Sequence, residues 1–164
     1  MNARALAKEK ARVEGLIKRW QTVMGLGYWR IDRTYWQRAV DFHDWGGALA
    51  EDDTVLMACP DWRYMQCTIH VNCEATVQLD DWALEQDVVH ELAHCHIDEL
   101  RQLLGEITDD LRGHIEHVTE AVAKALVWTR YEIDGASRAA TLPVAGCDDN
   151  RTCGGMPQNS GEVT

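Results

Sequence analysis

The chain has 164 residues, enough for one domain and short for two, with 16 Lys and Arg against 27 Asp and Glu and a formal net charge of -11. That balance excludes the clustered basic footprint that neutralises nucleic-acid phosphates, and it disfavours an anionic membrane surface. Hydrophobic residues at 46% and charged residues at 26% belong to a globular domain rather than a disordered chain.

The first predicted element is an amphipathic helix from Asn2 to about Met24. Its stripe of Leu6, Val13, Leu16, Ile17 and Trp20 ends at Gly25 and Gly27. The stretch from Met1 to Glu14 is charged, without an apolar signal core, and no run approaches the roughly 18–20 apolar residues that span a bilayer. The expected compartment is therefore a reducing cytoplasm, with no membrane partner.

Tyr28–Asp32 and Thr54–Ala58 read as short strands, and Asp41–Asp53, with its Gly46-Gly47 pair, as a loop or hairpin tip. Pro60-Asp61 marks a turn. Arg63–Asn72 alternates as a strand, with Tyr64, Gln66, Thr68, His70 and Asn72 on one face and Met65, Cys67, Ile69 and Val71 on the other. Asp80 or Asp81 caps a helix to about Leu104. A second helix runs from the N-cap Thr108 to about Ile133 and is closed by Gly135. Its apolar stripe is Ile115, Val122, Leu126 and Ile133, widened by Val118 and Ala125. Residues 135–164 lose periodicity and read as a flexible tail.

The order of helix, strands and two helices predicts one α+β domain over residues 1–134. Trp29, Trp36, Trp45, Trp62, Trp82 and Trp128 are expected in the core. Of the six cysteines, none forms a Cys-x-x-Cys pair. Cys59, Cys67, Cys73 and Cys95 read as small buried apolar residues, and Cys147 and Cys153 as thiols of the tail.

The chemistry lies in His90-Glu91-Leu92-Ala93-His94, inside the first of the paired helices. Residues four apart share a helix face, so His90 and His94 can offer two imidazoles to one metal ion. Glu91, about 100° round the helix, can reach a water on that metal without ligating it. A catalytic zinc usually has three protein ligands and one open position. The following helix supplies Glu116 and, one turn on, Glu120. Glu116, nearer the apolar stripe, is assigned as third ligand, and Glu120 as the carboxylate that orients a ligating imidazole. The two glutamates can exchange roles, and His117 is a weaker alternative.

This pattern resembles the gluzincin metallopeptidases, whose ligand glutamate lies on the helix after the His-Glu-x-x-His helix, with an acidic residue four positions later. The wider layout, including the strand start Trp62-Arg63-Tyr64, is similar to small metallopeptidases of phage and prophage genomes and to SprT-like domains. The resemblance covers about Gly25 to Tyr131. It implies a minimal zincin-like domain with a small, mostly antiparallel sheet, a Zn2+ cofactor, Glu91 as general base, and peptide hydrolysis. It also implies an extended substrate paired along a sheet edge, for which Arg63–Asn72 is the candidate. The missing zinc ribbon and the acidic charge set the chain apart from the DNA-linked SprT-like relatives. Two other readings stay open: a zinc hydrolase of non-peptide amides or a structural-metal domain, and a catalytically silent interaction module encoded by a phage.

Overall fold

A computed structural model describes residues 1–46, 54–104 and 108–140, the side chains of 99 and 135–140 excepted. The architecture is α+β. Helix α1 (Ala3–Val23) is followed by strand β1 (Arg30–Trp36), helix α2 (Ala39–Gly46) and strand β2 (Leu56–Asp61). A 3-10 turn (Trp62–Tyr64) leads into strand β3 (Gln66–Asn72). Helices α3 (Cys73–Thr76), α4 (Asp81–Leu103) and α5 (Asp109–Ala140) complete the chain. No helix among the described residues is long and apolar enough to cross a membrane.

Asn2 caps α1 by accepting the Ala5 amide at 2.9 Å, and Gly25 follows the helix at a φ of 70°, a left-handed turn that glycine makes without steric cost. Val13, Ile17 and Trp20 recur at helical spacing and are buried. Asp80 caps α4 through the Ala83 amide at 2.8 Å.

The three strands lie in the order β1-β3-β2, with β1 parallel and β2 antiparallel to β3. The sheet is thus mixed, where a mostly antiparallel one is the expectation. Cys67, Ile69 and Val71 of β3 join Ile31 and Leu56 in one core with Val13, Ile17 and Trp20 of α1 and Val88, Val89 and Leu92 of α4. The opposite face is covered by α2: the Trp45 ring stacks on His70 at a centroid distance of 3.6 Å, and Phe42 is fully buried.

Several sequence expectations change. Ala39–Gly46 is a helix, because Phe42 and Trp45 have the sheet to pack against; the rest of the expected loop, 47–53, lies outside the described residues. The strand predicted from Arg63 begins at Gln66, after the 3-10 turn and Met65, which is left-handed at a φ of 48°. Gly135 does not close α5, which continues to Ala140; the expected tail from 141 onward, with Cys147 and Cys153, lies outside the described residues. Trp45, Trp82 and Trp128 are exposed rather than core, and Cys59 is exposed while Cys67, Cys73 and Cys95 are buried.

The face of α5 is also rotated from the expected stripe. Among its described side chains the buried ones are Thr119, Ala123 and Val127, while Val118, Val122 and Ile133 are exposed. Small side chains let α5 sit close to α4, and the larger aliphatic ones fall to one side of that seam.

Candidate metal centre

Helices α4 and α5 run antiparallel, joined by two polar clusters. At one end the buried carboxylate of Glu85 accepts the indole N–H of Trp20 at 2.6 Å, the Tyr131 hydroxyl at 3.1 Å and the Arg130 guanidinium. At the other end α4 presents His90 and His94 on successive turns, and α5 brings Glu116 and Glu120 against them.

His90 Nε2 and His94 Nε2 are 3.2 Å apart, and Glu116 Oε2 is 3.2 Å from the first and 3.6 Å from the second. Zinc–ligand bonds of about 2.0–2.1 Å in a tetrahedron give ligand–ligand separations of ~3.3 Å. The triangle of donor atoms therefore has the dimensions of one face of a tetrahedral site, and the donor set of two imidazoles and one carboxylate suits that ion. Among the described residues His90, His94 and Glu116 form such a ligand group, which His117 does not join. His117, the weaker alternative, lies exposed on α5 about 100° round the helix from Glu116.

The other nitrogen of His90, Nδ1, is 3.2 Å from Glu120 Oε2. With its proton on Nδ1, donated to that carboxylate, His90 directs the lone pair of Nε2 into the triangle. Glu120 is itself held by Lys124, whose Nζ is 2.7 Å from Oε1.

The titration behaviour follows from these contacts. Burial pulls His90 down, but the hydrogen bonds to Glu116 and Glu120 and the charges of Glu91 and Glu116 outweigh it, leaving a raised pKa. Burial holds His94 below its ordinary value. The hydrogen bond to His90 lowers Glu116, and Lys124 first, then His90, lowers Glu120. Glu91 is pushed up to about 7 by burial, against the pull of His90 and of the Ala58 amide whose N–H its Oε2 accepts.

These residues line a cleft of about 460 Å³, closed on the other side by Thr54, Val55 and Leu56 at the start of β2. The strand beside the cleft is thus β2, not β3. Strand β3 is hydrogen-bonded on both sides, so Arg63–Asn72 has no free edge to offer an extended peptide. The Asn72 amide donates to the Val55 carbonyl at 3.0 Å, which sets the ladder so that Leu56 and Ala58 turn their backbone groups away from β3. Pro60, which has no N–H, occupies a third outward position, where no ladder donor is lost.

No protein-family model matches the chain, and no curated protein or solved structure matches it. Two participants escape the sequence reading. The Ala58 amide, which tethers Glu91, is a backbone group with no sequence signature. Asp87 lines the same cleft, and its place one turn before Glu91 on the helix was the available signal.

Proposed function

We propose that the chain is a zinc-dependent metallopeptidase of zincin-like build, with His90, His94 and Glu116 as ligands and Glu91 as general base. The observation that carries this reading is the donor triangle of zinc-site dimensions beside a half-buried carboxylate on the same helix. When bound, Zn2+ supplies Lewis acidity to a substrate carbonyl and lowers the pKa of a water.

The chain's own residues then have separate tasks. Glu91, with a carboxyl raised to about 7, takes a proton near neutral pH and returns it to the leaving amine. Glu120 fixes the tautomer and ring orientation of His90. The outward backbone groups of Leu56 and the Ala58 carbonyl pair with an extended peptide, while the Ala58 amide holds Glu91 in place.

The test is metal analysis together with hydrolysis of a mixed peptide library. The wild type is expected to bind one zinc per chain and to cleave peptides. Glu91→Gln keeps the zinc and loses hydrolysis, and His94→Ala loses both. Full hydrolysis by Glu91→Gln removes the general-base assignment, and a wild type that takes up no zinc removes the reading altogether.

A further inference from the structure

The cleft contains four carboxylates, and three of them are engaged. Glu116 meets the two imidazoles, Glu120 meets His90 and Lys124, and Glu91 accepts the Ala58 amide. Asp87 is different. It lines the cleft, is half-buried, and accepts no hydrogen bond and forms no ion pair among the described residues. It is the seventh residue of α4, beyond the first turn where the helix N-terminus stabilises an anion. The β2 side of the cleft, Thr54 to Leu56, is uncharged, and no Lys or Arg lines it. A carboxylate drawn out of water without a partner is costly, and burial pushes Asp87 up to about 6. The neighbouring His90 offsets only part of that cost, and the Glu120 carboxylate adds to it.

We propose that Asp87 selects the substrate: it pairs with a positively charged nitrogen, a Lys or Arg side chain or a free α-amino group, close to the cleaved bond. This rests on the metallopeptidase reading and gives it a substrate class. Asp87 is one helical turn before Glu91, a Cβ separation of about 5–6 Å. An extended peptide advances ~3.3 Å per residue, so the cation lies within about two residues of the bond that Glu91 serves. The net charge of -11 also draws basic peptides towards the protein.

The test measures binding to zinc-loaded Glu91→Gln protein by isothermal titration. The probes are four forms of one peptide: N-acetylated with uncharged side chains, N-acetylated with one residue changed to Lys, the uncharged-side-chain sequence with a free, positively charged amino terminus, and N-acetylated with the same residue changed to Glu. The cationic forms are expected to bind about tenfold tighter than the neutral one, as for a charged hydrogen bond in a half-buried site, and the Glu form more weakly. Adding Asp87→Asn abolishes the gain, and Asp87→Glu retains part of it. Gain confined to the free amine, or to the Lys, assigns the source of the charge. Equal affinities, or a preference that survives Asp87→Asn, overturn the proposal. If the wild type cleaves neutral and cationic peptides alike in a zinc-dependent way, the Asp87 assignment fails while the peptidase reading stands. If no peptide is cleaved with zinc bound, both fall.

Discussion

The assignment of Glu116 and Glu120 is open to a direct measurement. Glu116 Oε2 lies 3.2 and 3.6 Å from the two Nε2 atoms, inside the donor triangle, whereas Glu120 touches His90 at Nδ1, outside it. Four-ligand structural zinc sites bind with apparent energies of about 10–16 kcal/mol, so one ligand is worth ~3 kcal/mol. Glu116→Ala is therefore expected to weaken zinc by about two orders of magnitude. Glu120→Ala removes the orienting partner alone and is expected to cost about 10–100-fold, with Glu120→Gln milder because its amide oxygen can still accept. Both side chains are close to half exposed, so neither truncation leaves a core cavity, and the variants should fold. Competition against a chromophoric chelator gives the three dissociation constants. Thermal melts with and without zinc give a second readout, since ligand binding to the folded state stabilises it by ~2.7 kcal/mol at 100 times its Kd. The reasoning is refuted if Glu116→Ala keeps wild-type affinity. It is reversed, with the two glutamates exchanging roles, if Glu120→Ala loses more than Glu116→Ala.

Two further outcomes follow from the polar groups of α4. Glu85→Gln takes the charge from a buried carboxylate that faces Arg130, with Arg19 at 3.6 Å, and is expected to destabilise the fold by about 3 kcal/mol in urea unfolding; a loss under 1 kcal/mol contradicts the buried-pair argument. Asp87 is raised from 3.8 to about 6 by burial, so the folded chain holds this proton more tightly than the unfolded chain, and stability falls as pH rises from about 4 through 6. Asp87→Asn should thus stabilise chelator-treated protein by about 1–2 kcal/mol at pH 8, after allowance for solvent screening, and change little near pH 3. Equal stability changes at the two pH values would show that Asp87 is not strained by burial.

The sequence made local features legible and non-local ones obscure. The cap at Asp80 and the pair His90/His94 depend on residues within one or two helical turns, and each stands where the spacing puts it. Strand partnership depends on residues far apart in the chain, so neither the parallel pairing of β1 with β3 nor the central place of β3 could be read from alternation. Alternation assigns the faces of β3 but not their burial: His70 is buried under the stacked rings of Trp36 and Trp45, and Asn72 is buried where its side chain accepts the Ala75 amide and donates to the Thr54 carbonyl. Helix α2 went unseen because its acidic residues and its terminal glycine read as a loop, while the aromatic contacts that stabilise it come from the sheet.

Glu116 is the instructive case, because the stripe that places it is buried only in part: Leu126 packs against the core while Val122 and Ile133 are exposed. The helical wheel places Glu116 beside Ile115, Val122 and Leu126, yet the buried residues among the described side chains of α5 are Thr119, Ala123 and Val127. Glu116 precedes Thr119 by three positions and so continues the seam of small side chains along the helix. That seam is thin: among the described side chains of α5, Ala123 and Val127 are the fully buried apolar ones. Polar contacts at its two ends must therefore do much of the positioning, Arg130 and Tyr131 on Glu85 at one end and Glu116 and Glu120 on His90 at the other. A helix held at both ends by directional contacts has little freedom to slide, and the Glu116 carboxylate carried on it meets the two imidazoles already in register.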